Sequence, residues 1–99
     1  MIKHLVLWRL NGETADQRQT QAQEIKQVLE ALNGRIPGLK HLEVGIDFTC
    51  SERSAHVALC AELESRAALE VYQNFPEHVA AKKVVAAATA DAIAADYEI

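Results

Sequence analysis

Little in this sequence points to a phosphate, a nucleic acid or a metal. Its four glycines stand apart at positions 12, 34, 38 and 45, so no glycine-rich loop can wrap backbone N–H groups round a phosphate. Basic residues number 10 against 14 acidic ones, a formal charge of −4, and they form no run. The positive footprint that neutralises a phosphate backbone is missing, and nucleic acid is not an expected partner. The four histidines, His4, His41, His56 and His78, show neither HxH nor HxxxH spacing, which removes the ready chelate of a zinc site. Neither a metal nor another cofactor is expected. Ser51, Ser54 and Ser65 lie outside any GxSxG turn, and Cys50 and Cys60 make no CxxC pair, leaving nucleophilic and redox chemistry without a motif. Leu5 to Trp8, closed by Arg9, is the only apolar stretch near the N-terminus and is too short for a secretory or membrane segment. With two thiols expected to be reduced, Cys60 among them in the core, a cytoplasmic protein is expected.

What is present is the composition of a globular domain, 49% hydrophobic and 24% charged over 99 residues, enough for one domain spanning 1–99. Ile2 to Leu10 reads as a strand apolar on both faces,. Thr14 followed by Gln17 is a capping box. Ala22, Ile25, Val28, Leu29 and Leu32 then recur at helical spacing until Asn33 and Gly34. After Ile36-Pro37-Gly38, residues Leu39 to Ile46 alternate as a second strand, and a third runs from Ser54 to about Leu63,. Ser65 is an N-cap for a helix reaching Asn74; Pro76 breaks that helix and starts another, which runs to about Ala90,. Ala92 to Glu98 forms the last strand.

The order β-α-β-β-α-β, with its second helix split, predicts a ferredoxin-like α+β fold with both helical segments on one face of a four-stranded antiparallel sheet. Leu5, Leu7, Val57, Leu59, Leu63, Ile93 and Tyr97 are expected on the other face. Seven apolar residues exceed what a soluble monomer exposes as one patch, so a homodimer is expected, with a second copy covering it. The helix-facing side is expected to carry His4, Val6, Trp8, Leu42, Val44, His56, Ala58, Cys60, Ala92 and Ala94. His4 and His56 on that side, with Tyr72 and His78 above them on either side of Pro76, make a candidate acid–base group. The small alanines leave room for a ligand unless Trp8 fills it.

Several segments carry a family resemblance: the opening Ile2-Lys3-His4-Leu5-Val6-Leu7, the turn Ile36-Pro37-Gly38-Leu39, Glu43-Val44-Gly45, the stretch Tyr72-Gln73-Asn74-Phe75-Pro76-Glu77-His78-Val79 and the ending Asp96-Tyr97. In this order the chain resembles the stress-responsive A/B barrel domain (Dabb) proteins of the dimeric α+β barrel superfamily. The resemblance implies two ferredoxin-like subunits packed sheet against sheet. Many members have no assigned activity, and one plant member is a cofactor-free polyketide cyclase. Likeness to that member implies His78 as general base, Tyr72 as its hydrogen-bonding partner, and His4 and His56 as substrate-binding residues; Val6 and Trp8, expected on the same strand face as His4, are further candidate substrate-binding residues. The ligand so implied is a small apolar or β-keto molecule. A non-catalytic dimer that binds such a molecule, or simply persists under stress, is the other expectation.

Overall fold

A computed structural model describes all 99 residues. The elements are β1 (Ile2–Leu10), α1 (Ala15–Glu30), β2 (Leu39–Ile46), β3 (Val57–Leu63), α2 (Arg66–Asn74), α3 (Pro76–Ala88) and β4 (Thr89–Glu98). They form one antiparallel sheet of order β2-β3-β1-β4, the expected ferredoxin-like arrangement. No helix is long and apolar enough to cross a membrane.

Local chemistry sets the helix ends. The Thr14 hydroxyl accepts from the Gln17 N–H at 3.1 Å while Gln17 Oε1 accepts from the Thr14 N–H at 3.1 Å, a reciprocal capping box,. Phe75 ends α2 and precedes α3 in extended conformation, φ −65° and ψ 131°; Pro76 disfavours the helical region for the residue before it, which produces the kink. Gly38 lies at φ +83°, and a Cβ there would stand 2.7 Å from that of Ala68. Only glycine lets this turn approach α2 so closely.

Two boundaries differ from expectation. β3 starts at Val57, because Ser51 and Ser54 close a turn through their hydroxyls, 2.8 Å apart. β4 starts at Thr89, since α3 stops early: the Thr89 backbone is extended and its N–H turns back to the Ala86 carbonyl.

The larger correction concerns β3. Val57, Leu59 and Leu63 were expected on the uncovered face, yet the register pairs Leu63 with Ile2, Leu59 with Val6 and Val57 with Trp8. They therefore face the helices with His4, each at most 3% exposed, while Ala58 and Cys60 take the open face. Strand alternation leaves two choices of face, and a one-residue change of parity exchanges them all. The larger aliphatic set lies under the helices, where it meets Ile25, Leu29, Leu42 and Val44 in one core. Cys60 is accordingly half-buried on the open face rather than in the core. Leu5, Leu7, Ile93 and Tyr97 do lie on that face, with Leu7, Ile93 and Tyr97 44, 69 and 46% exposed.

Candidate functional site

The helical layer covers β1, β2 and β3 and stops short of β4, all of whose residues after Thr89 are exposed. Where the cover ends, a cavity of about 310 Å³ opens between sheet and helices. His4, Val6, Trp8 and Leu59 line it from the sheet, Leu29 from α1, and Tyr72 and Gln73 from α2. His78, Lys82, Val85 and Ala86 of α3, with Thr89, complete the wall.

Three rings meet here. Tyr72 and His78 stack with centroids 4.0 Å apart and planes at 26°, while His4 meets Tyr72 edge-on at 5.8 Å. The kink at Pro76 is what turns α3 back so that its first turn sets His78 over Tyr72. All three side chains are buried: Tyr72 is 1%, His78 5% and His4 7% exposed. Nδ1 of His4 bonds the carboxylate of Asp96, which β4 places directly opposite on the neighbouring strand. With Nδ1 engaged by a carboxylate, the ring is held in one orientation and the tautomer leaves Nε2 free to accept.

His78 has a different environment. Burial lowers its pKa from 6.5 to about 4, the Lys82 ammonium one turn away adds to this, and the carbonyls of Tyr72 and Gln73 partly oppose it,. Its Nδ1 is buried with no hydrogen-bond partner. Burial alone raises the Tyr72 phenol, so it stays protonated. The cavity thus holds a neutral imidazole, a protonated phenol and a carboxylate-oriented second imidazole against largely apolar walls. Val6 and Trp8 also reach it, and Trp8 lines the space without filling it.

His56 does not. Its Nδ1 accepts from the Leu10 N–H at 2.8 Å, its own N–H donates to the Trp8 carbonyl and its carbonyl accepts from Asp47 N–H, both at 2.9 Å. It clamps the end of the sheet instead. Burial and the charges of Arg18 and Arg9 lower its pKa, in keeping with a ring nitrogen committed to accepting. Ala92 and Ala94 face the helix side but lie beyond the helical cover. Sequence reasoning missed Lys82 and Asp96. The first is marked by its i, i+4 spacing from His78; the second follows once β1 and β4 are aligned end to end, Ile2 against Glu98. No three histidine, cysteine or acidic side chains are grouped as a metal site requires.

The fold is that of a ferredoxin-like domain, with a cavity between sheet and helices. The stress-responsive A/B barrel domain pattern matches residues 2–99, and the chain belongs to that family. It is similar to a dimeric protein of unknown function and ferredoxin-like fold from Bacteroides fragilis, at 29% identity and TM-score 0.89 over 99% of this chain and 95% of that one. A dimeric ferredoxin-like protein of unknown function from Thermobifida fusca is 29% identical, with TM-score 0.84 over 99% of this chain and 90% of the other. A hydroxynitrile lyase from Passiflora edulis shares the fold at 19% identity and TM-score 0.81, over 99% and 92% of the two chains. No curated protein sequence matches.

Proposed function

We propose that this protein is a homodimer that binds a small, largely apolar molecule in the cavity beside Tyr72 and His78. The cavity carries the reading: about 310 Å³, at the small end of ligand sites, apolar walls and a few convergent polar groups,. The dimer rests on the apolar patch of Leu5, Leu7, Ile93 and Tyr97 and on the dimeric state of the B. fragilis and T. fusca relatives. Trp8 is the single tryptophan and lines the cavity, so its fluorescence reports on occupancy. Titration with small apolar and β-keto compounds should change its emission saturably. A library that leaves it unchanged would contradict the binding reading.

A second reading, cofactor-free cyclase, lyase or isomerase chemistry, is favoured by the stacked Tyr72–His78 pair. Neutral His78 takes a proton from the carbon α to a carbonyl, the electron pair moves onto the carbonyl oxygen, and Tyr72 donates a hydrogen bond to the enolate. Burial penalises an isolated imidazolium, but proton transfer creates imidazolium and enolate together, so the pair stays neutral overall. His4, oriented by Asp96, is placed to hold the substrate. Lyase chemistry is known for this fold in the P. edulis protein. On a β-keto substrate His78→Asn should abolish turnover with the dimer intact, and Tyr72→Phe should slow it roughly 10²-fold. Undiminished turnover in His78→Asn would eliminate this mechanism.

A further inference from the structure

We infer that the cavity selects an anionic ligand, with Lys82 and the Gln73 amide holding its acid group and the apolar wall taking its hydrocarbon part. This rests on the cavity being a ligand site and names the class of molecule it takes.

The argument begins with charge. The chain carries 14 acidic residues against 10 basic, yet no carboxylate lines the cavity and Lys82 is the one cation that does. The carboxylate of Asp96, beside the cavity-lining His4, is committed to that ring. In a protein of net charge −4, Lys82, itself solvent-exposed, brings a positive charge to a concavity that no carboxylate lines,.

The second observation is that this cation has no partner. Lys3, Lys26 and Lys40 are each paired, with Glu62, Glu30 and Glu64 at 2.7, 2.9 and 3.0 Å; Lys83 is unpaired as well but does not line the cavity. Lys82 makes neither an ion pair nor a hydrogen bond, and the side-chain amide of Gln73 is equally unengaged, whereas the Thr89 hydroxyl is committed to the Val85 carbonyl at 2.6 Å. Two free donors, in addition to the Tyr72 hydroxyl, therefore border the same space. An ammonium and an amide N–H suit the two oxygens of a carboxylate. Across from them Val6, Trp8, Leu29 and Leu59 offer a surface that only hydrocarbon fills well,. The site is amphiphilic, and so is the ligand that matches it: a medium-chain or aryl carboxylic acid, including a β-keto acid.

The consequence for His78 has the right sign for the proposed chemistry. Its proton affinity is lowered first by burial and then by neighbouring positive charge, that of Lys82 foremost, and raised only by the carbonyls of Tyr72 and Gln73. An acid group seated on Lys82 neutralises one of the lowering charges, so the ring becomes a better base when its ligand is bound.

The test is a pair of probes equal in length and differing in charge, octanoate and octan-1-ol, titrated against the full chain with Trp8 emission as readout. Octanoate should bind roughly tenfold more tightly, the return of one charge-assisted hydrogen bond. Lys82→Met should erase that advantage by weakening octanoate far more than octanol, and an unchanged circular-dichroism melt shows that the variant is folded. Salt at 1 M should shrink the advantage in the wild type. Octanol bound as well as octanoate, or an octanoate preference that survives Lys82→Met, overturns the anion assignment and leaves the cavity reading standing. If neither probe enters, both are overturned.

Discussion

The two flanks of the sheet are built in opposite ways. On the β2 flank, side chains of α1 and the turn after it complete the outer edge: Asn33 accepts from the Leu42 N–H at 2.9 Å and donates to its carbonyl at 2.8 Å. Next to it Glu30 accepts from the Val44 N–H at 3.0 Å, and Lys26 donates to the Val44 carbonyl. An edge strand that would otherwise template pairing with another chain is closed by side chains. On the β4 flank nothing of the kind occurs. Nine of its ten residues, all but Ala90, pair with β1 on one side only, and all those after Thr89 lie exposed. The stable half of the molecule is where covering is complete; the cavity opens at the line where it stops.

That contrast is open to direct attack. The largest effect is expected from Leu59→Glu, which drives a carboxylate into a position 3% exposed beneath the helices, where the closed half meets the cavity. A loss of about 4 kcal/mol or more should abolish the cooperative thermal transition seen by circular dichroism. The same charge at Ile93, 69% exposed on the open face, should leave the subunit folded. In sedimentation equilibrium, however, it should reduce the mass from twice the 10.9 kDa of one chain to that value. An Ile93→Glu protein that stays dimeric would remove the open face from the interface.

An intermediate effect follows from His78. Its pKa in the folded protein lies below the ordinary value of 6.5, at about 4, so between those values the unfolded chain binds more protons and stability falls as pH falls. The full contribution is present above pH 6.5, and about 3 kcal/mol is lost by pH 4. Urea melts from pH 7 to 4 should show this slope, and His78→Asn should flatten most of it. Some must remain, since His56 is shifted in the same direction. Glu30, held below the ordinary carboxylate range by Lys26 and the Val44 N–H, has its stabilisation lost only at more acid pH.

The smallest effect is at the closed edge. Asn33→Ala removes two hydrogen bonds to Leu42 and should cost about 1–3 kcal/mol. At roughly 4–8 °C of melting temperature per kcal/mol for a domain of this size, scanning calorimetry resolves this easily. Unaltered melting would mean that water serves that edge as well as the side chain does.

Most of the architecture was legible because its signals are local. Thr14 with Gln17, Asn33-Gly34, Pro37-Gly38 and Pro76 each impose a backbone state whatever surrounds them, and element order then restricts the topology. The face taken by β3 was not legible, because Val57, Leu59, Ala61 and Leu63 alternate equally well toward either side; packing against Leu42 and Val44 decides it. The site divided along the same line. Tyr72 and His78 flank a proline kink and were legible as a pair. For His56, one residue before the strand, strand alternation predicts a place in the cavity, whereas its ring serves the Leu10 N–H. Lys82 and Asp96 needed pairings across helix and sheet that no single segment reveals.

Function on the uncovered flank is tested most directly by chemical-shift mapping of the isotope-labelled protein with a small set of apolar, β-keto and carboxylate compounds. Binding should move the resonances of His4, Trp8, Tyr72, His78 and Lys82 together and saturably, while those of Asn33, Leu42 and His56 stay in place. Shifts centred instead on His56, Arg18 and Asp47, or none at all across the set, would contradict it.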